Sequence, residues 1–352
     1  MSSRTASSSW SRTDQPDIVP TGSARSVPIH RHRGGPLFNY FLQQLIFALA
    51  IGAIYGLIAL GYTMVYGVMR LINFAHGEFF MLGPYIYTFV FSGLLGAGSL
   101  APALGSVIAI VVSFVVVGLL GVAIERFAYR PLRAYGRLAP MLSALGMSIV
   151  LQSAVRVTVG PQPERFPAIV SSEPIAALGG MATTVQVGIL AAAILLMVGL
   201  TLFVNGTRLG IWIRAASESW TTSSLLGIRV NRAVSLVFFI GPGLGAIAGI
   251  MYASYYGIMQ PTMGSVIGLK AFTAAILGGI GSIPGAMLGG FLLGAIETFG
   301  TAFLPILSGG FIGTEYRDVF AFAVLILVLL FKPAGLLGET VSEETTVAKK
   351  DY

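Results

Sequence analysis

Cysteine is absent from the 352 residues. That excludes disulfides, thiolate metal sites and a cysteine nucleophile. Charge is nearly as scarce. Asp, Glu, Lys and Arg make up 10% of the chain, where an ordinary soluble domain carries about 25%. A water-facing surface of this size needs more charge, so the chain has another solvent, and lipid is the obvious one. There are three histidines, two of them near the start, too few for a multi-His metal centre, and no metal site is expected. No Gly-Lys pair occurs anywhere. A phosphate-binding G-x-x-x-x-G-K-[ST] loop is therefore missing, and the chain does not hydrolyse ATP that way. No Ser/His/Asp or His/Asp/Glu constellation supports a membrane-embedded enzyme, and no catalytic residue is expected.

What is abundant is apolar: 55% of residues are hydrophobic. Residues 34–69, 79–124 and 233–269 contain no Asp, Glu, Lys or Arg at all. A membrane-crossing helix needs ~20 apolar residues, so each stretch holds one or two crossings. Apolar segments read at 38–60, 61–74, 79–97, 103–124, 138–158, 185–204, 233–256, 266–300 and 316–332. The first two can form one long or broken helix, and 266–300 can be two short pieces. The expected fold is all-α, a polytopic transmembrane bundle of about 8–10 membrane segments with two Gly-rich interruptions. Residues 1–37 are Ser-, Arg- and Pro-rich, without a signal-peptide apolar run, and are expected to form a disordered cytoplasmic tail. Residues 38–338 form the membrane domain and 339–352 a charged C-terminal tail.

The net charge of +7 does not point to nucleic acid, because the arginines sit in short loops. Loop 125–137 holds Arg126, Arg130, Arg133 and Arg137, and loop 205–232 holds Arg208, Arg214, Arg229 and Arg232. Both are assigned to the cytoplasm by the positive-inside pattern. Two crossings separate them, which places 156–184 outside.

The interruptions are Asn73-Phe74-Ala75-His76-Gly77-Glu78 within 61–83, and Leu277 to Gly285 with Gly278, Gly279 and Gly281. One lies in each half. Broken segments in corresponding positions of two halves point to a midplane pathway, because interrupted backbone survives at membrane depth only when buried in protein or lining a cavity. Asn73, His76, Glu78, Gly279 and Gly281 are the pathway candidates. A hydrogen-bonded turn or a hydrated surface loop would also explain the first set. Gly241, Gly245 and Gly249 recur every four residues, as do Gly281, Gly285 and Gly289. Such spacing lets helix backbones approach closely. Lys270 and Glu297 can pair, line a cavity or snorkel, whereas Glu315, Arg317 and Asp318 read as a helix end at the surface. Residues 215–226 are helix-compatible and stop at Gly227. A cytoplasmic amphipathic helix there either docks in a partner's groove or lies on lipid.

Four stretches, taken in order, are specific: 56–67 (GLIALGYTMVYG), 72–78 (INFAHGE), 125–133 (ERFAYRPLR) and 270–286 (KAFTAAILGGIGSIPGA). Over residues 40–338 the chain resembles the permease subunits of branched-chain amino-acid ABC importers, the hydrophobic amino-acid uptake class. The resemblance implies a multi-pass bacterial inner-membrane subunit that moves such amino acids by alternating access. It implies as partners a second, often non-identical permease, two cytoplasmic ABC ATPases that use the ATP, an extracytoplasmic substrate-binding protein and membrane lipid, with no cofactor bound by this chain. It makes 205–232 the coupling loop, with Arg214, Glu218, Ser223, Leu226 and Gly227 as contact candidates. The E-A-A-x-x-x-G pattern of importer permeases is altered here to Thr221-Thr222-Ser223 before Gly227, which bears on the choice of ATPase. Urea or short amides are the alternative cargo on this scaffold. An ATPase-independent secondary transporter is the alternative machine.

Overall fold

The structure is a computed structural model that describes residues 36–96, 101–136, 138–176, 179–309, 311, 313, 316–332 and 334–338. The tails lie outside these residues, apart from 36 and 37, and so does Glu315. The helices are α1 (Pro36–Met69), α2 (His76–Gly96), α3 (Pro102–Ile124), α4 (Leu138–Thr158), α5 (Thr184–Gly206), α6 (Arg208–Glu218), α7 (Trp220–Leu225), α8 (Val230–Tyr256), α9 (Met263–Gly278), α10 (Ile283–Leu307) and α11 (Arg317–Phe331). Two strand pieces, β1 (Glu164–Arg165) and β2 (Ile258–Met259), pair antiparallel.

Among the described residues, seven helices are long and apolar enough to cross a membrane: α1, α2, α3 with its extension, α4, α5, α8 and α10. α9 and α11, with 16 and 15 residues, reach only about 24 and 22 Å, short of the ~30 Å hydrocarbon core. With them the bundle has the breadth expected from sequence. Residues 38–69 form one unbroken helix, and 266–300 falls into α9 and α10, divided at 279–282. Loop 125–137 is not a loop. It continues α3 as a π-turn, Glu125–Tyr129, and a 3-10 turn, Arg130–Tyr135.

α1 is the axis. Its apolar window is 78% buried, against 22% for α4 at the periphery. It runs antiparallel to α10, with Phe41 stacked on Phe299 and Tyr40 edge-on to Phe303. Lower down, a Cβ on Gly290 or Gly294 would overlap the backbone of Gly56 or Gly52. Small residues bring these two backbones into contact, and dispersion then holds a pair that gains no hydrophobic free energy from lipid.

The β1–β2 pair ties 164–165 to the end of α8 at one face, with the Phe166 amide donating to the Gly257 carbonyl at 3.0 Å. The C-terminal end of α1 meets the opposite face, where α6 and α7 lie: Arg70 Nη2 donates to the Ser217 carbonyl at 3.0 Å. α1 crosses once, so Pro36 opens it on the side away from the basic loops. That is the reverse of the side expected for the N-terminal tail, whose other residues lie outside those described.

Candidate translocation and coupling sites

The turn between α1 and α2 is built by Asn73. Its Oδ1 accepts from the Ala75 amide at 3.2 Å and from the Tyr129 hydroxyl at 3.0 Å. The first bond caps the approach to α2, and the second ties the turn to the extension of α3. His76, Gly77 and Glu78 then form the first turn of α2 inside the bundle, not at a hydrated surface. Asn73, His76 and Glu78 are each at most 1% exposed. Glu78 Oε1 accepts from Ser148 on α4 at 3.0 Å, while its Oε2 faces Gly264 at the start of α9.

The His76 ring lies 4.4 Å, centroid to centroid, from Tyr62. A Cβ on Gly61 would strike its Nε2, whereas one on Gly245 of α8 would meet the same nitrogen at an ordinary contact distance of 3.8 Å. The absence of a side chain at Gly61 makes room for the imidazole. Asn73 Nδ2, both His76 nitrogens and Glu78 Oε2 have no hydrogen-bond partner among the described residues. Leaving a buried polar atom unpaired costs ~1–3 kcal/mol, so four in one place is a strong departure from an ordinary core.

The second break lies beside the first. A narrow crevice is lined by Tyr62, Tyr66, Leu71, Ile72 and Asn73 from one side and by Phe272, Ala275 and Ile280 from the other. Gly279 and Gly281 flank Ile280 without lining the crevice themselves. Gly279, at φ +110°, ends α9 where a side chain would collide with Gly338. Gly281 is exposed with open space around it. The C-terminal residues close the turn, the Leu336 and Leu337 amides donating to the Leu277 and Gly278 carbonyls at 3.0 and 2.9 Å.

Of the glycines singled out by spacing, all but Gly281 sit at helix crossings. Gly241 faces the Gly61 carbonyl, Gly249 presses on the Phe80 carbonyl, Gly285 meets Gly278, and Gly289 meets Ala274. Gly52 and Gly56 on α1, and Gly290 and Gly294 on α10, carry the same spacing of four and form the crossing of those two helices.

Residues 208–225 form two helices, not one. Ser219 is extended (φ −154°, ψ 119°) and caps α7, its Oγ accepting from the Thr222 amide at 3.3 Å. A run that is helix-compatible throughout is thus interrupted by a serine that serves better as a cap. Gly227, at φ +80°, ends the motif. Arg214, Glu218 and Leu226 are exposed, with Leu225 and Leu226 at 83% and 75%. Ser223 is buried.

Trp220 anchors this motif. Its Nε1 donates to the Val68 carbonyl at 2.9 Å, and Arg133 lies 5.3 Å above its ring. Arg133 also donates to Asn231 at 3.2 Å and pairs with Glu125. Glu125, fully buried, takes Arg130 as a second partner at 2.9 Å, and Arg130 reaches Ser235 at 3.0 Å. The α3 extension, α7, α8 and the end of α1 are thereby fastened together. Glu125, Arg130 and Arg133 are neighbours on the α3 extension, but Val68, Trp220, Asn231 and Ser235 are distant from them in sequence.

Lys270 and Glu297 do pair, at 2.9 Å. Arg317 and Asp318 are not a simple surface helix end: Arg317 reaches Glu297 at 2.6 Å, and Asp318 reaches Lys270 at 2.6 Å. No group of three or more His, Cys, Asp or Glu able to hold a metal occurs among the described residues.

The family model for the permease component of the branched-chain amino acid transport system matches residues 44–329. The chain is 44% identical over 307 residues to the high-affinity branched-chain amino acid transport system permease protein BraD of Pseudomonas aeruginosa, covering 86% of this chain and 97% of that protein. It is 43% identical over 309 residues to the corresponding protein LivH of Escherichia coli, covering 86% and 96%. A probable branched-chain amino acid transport permease of Methanocaldococcus jannaschii is 29% identical over 288 residues. No solved structure matches the chain.

Proposed function

The chain belongs to the branched-chain amino-acid transport permease family, and from that premise we propose that it imports leucine, isoleucine and valine in a complex with a second permease, two ATPases and an extracytoplasmic binding protein. It is a membrane transport subunit, not an enzyme, and ATP is hydrolysed by separate subunits. In this reading the ATPases engage α6 and α7, where Leu225 and Leu226 offer an apolar contact beside Arg214 and Glu218.

The observation that carries the mechanism is the grip of that motif on α1. Trp220 holds the Val68 carbonyl and Arg70 holds the Ser217 carbonyl, and the next residues are the Asn73–Glu78 break. Force on α7 is delivered directly to the turn that carries the unsatisfied polar groups. When α1 shifts against α9, the crevice between the two breaks widens. Asn73, His76 and Glu78 can then meet the polar ends of a passing amino acid, or the water that travels with it. Buried polar groups with unused hydrogen-bonding capacity are what such a mechanism needs.

The test is leucine uptake into proteoliposomes holding all the subunits, with and without internal ATP. ATP-dependent accumulation is expected. ATP hydrolysis stimulated by the loaded binding protein without leucine movement would shift the cargo to urea or short amides. Equal transport without ATP would overturn the importer reading.

A further inference from the structure

Four charged side chains and a tyrosine meet midway through the bundle. Lys270 lies halfway along α9, Glu297 halfway along α10, and Tyr55 near the middle of α1. Glu297 Oε1 is shared by Lys270 Nζ at 2.9 Å and Arg317 Nε at 2.6 Å, and its Oε2 accepts from the Tyr55 hydroxyl at 2.8 Å. Asp318 completes the set on Lys270. Two cations and two anions leave the cluster neutral.

Lys270 and Glu297 are 2% exposed, but the Arg317 and Asp318 side chains are 36% and 48% exposed. Charge facing hydrocarbon at this depth costs ~2.5–3.5 kcal/mol per residue on insertion scales, and intramembrane ionisable groups normally face water or protein. A crevice of about 290 Å³ opens there, at the lower edge of the range of small-molecule sites. Gln44, Phe47 and Ile51 form its α1 wall, Thr298 and Thr301 its α10 wall, and Glu297 and Arg317 lie at its end. Thr298 is 8% exposed, and its hydroxyl has no partner among the described residues.

We propose that this crevice is an intramembrane subsite for the head group of an aliphatic α-amino acid, distinct from the Asn73–Glu78 break. The carboxylate of the zwitterion takes Arg317. Its ammonium takes the Glu297 oxygen released by Arg317, together with Asp318. The aliphatic side chain lies on Phe47 and Ile51. A neutral cluster with one carboxylate oxygen claimed by two cations suits a ligand that brings one charge of each sign. Binding exchanges ion pairs and leaves no charge buried alone, which is the costly outcome. The exchange also loosens Lys270, and so α9, whose far end is the 279–282 turn. The proposal rests on the amino-acid import reading above.

The absence of cysteine makes the test direct. Thr301→Cys places one thiol of this chain in the crevice, in a complete complex whose other subunits are cysteine-free. A charged, impermeant methanethiosulfonate reagent is expected to modify it, and leucine at ten times its Kd to slow modification about tenfold by mass action. Leucinamide and 4-methylpentanoate, each lacking one charge, should protect far less. Adding Arg317→Gln should abolish protection by leucine while leaving the thiol reactive. Gln44→Cys on the opposite wall serves if the first variant does not assemble. Modification by N-ethylmaleimide alone, or modification that leucine does not slow with or without ATP, would overturn the subsite. ATP-driven leucine uptake by the unmodified complex is measured in the same preparation. If uptake is present and protection absent, the subsite alone fails. If uptake is absent, the import reading fails.

Discussion

Replacing Trp220 separates anchoring from docking. Trp220→Phe keeps a ring beneath Arg133 and removes only the indole N–H that meets the Val68 carbonyl at 2.9 Å. That carbonyl belongs to the last turn of α1, where the helix supplies no partner of its own. A hydrogen bond of this kind contributes ~0.5–1.5 kcal/mol. Trp220→Ala also removes the cation–π contact, ~0.5–1 kcal/mol at an exposed site. The first change weakens the grip of α7 on α1 by about fivefold and the second by about thirtyfold, taking ~1 and ~2 kcal/mol respectively.

Trp220 sits on the permease side of the motif, so ATPase binding through the exposed leucines should survive. The assay is leucine taken up per ATP hydrolysed in proteoliposomes. Hydrolysis should continue while uptake per ATP falls in the order wild type, Phe, Ala. An assembled Trp220→Ala complex with unchanged uptake per ATP would refute the claim that force reaches α1 through this residue.

Gly290→Leu should abolish assembly, because even its Cβ would overlap the Gly56 backbone, whereas Gly67→Ala, with open space around it, should be neutral; size-exclusion chromatography of the complex compares them. His76→Ala with Glu78→Ala should leave the complex assembled but cut leucine uptake at least about tenfold, equivalent to ~1.4 kcal/mol, and intact uptake would remove these residues from the pathway. Gly61→Ala should displace the His76 ring and lower uptake in the same way, with thermal stability falling by ~1–3 kcal/mol from overpacking. Gly227→Ala strains a residue held at φ +80° by ~1–2 kcal/mol, so uptake per ATP should fall, and Gly227→Asn should recover part of it.

Long uncharged runs disclose the membrane helices because lipid imposes one simple demand on composition. The breaks are legible for a related reason: Asn73-to-Glu78 and the 278–285 glycines are where apolar continuity fails. Ser219 is different. Its neighbours favour helix, and only its capping bond to Thr222 shows where the helix stops. Arg317 and Asp318 do begin a helix, but their depth depends on how α9, α10 and α11 stack, which local pattern does not encode. The anchors are the least legible. Tyr129 to Asn73 spans 56 residues and Trp220 to Val68 spans 152, and a single sequence carries no sign that these groups meet.

α1 connects the two places where function is proposed. Its C-terminal end is held by Trp220, its middle carries Tyr55 on Glu297, and its outer half forms a wall of the charged crevice. Between these points it lies backbone to backbone on α10. A close-packed interface of this kind does not deform gradually, since side chains and backbone fill the space at crystal-like density. Movement at the Val68 end must then either slide α1 along α10 or carry both helices together. Sliding would pull Tyr55 away from Glu297 and disturb the ion pairs with Lys270 and Arg317. Joint movement would preserve those pairs and shift α1 and α10 against α9, opening the crevice between the breaks. Tyr55→Phe decides between the two. If the helices slide, the hydroxyl bond breaks in every cycle, and removing it should raise the turnover rate. If they move together, the bond persists, and its loss should lower stability while leaving turnover unchanged.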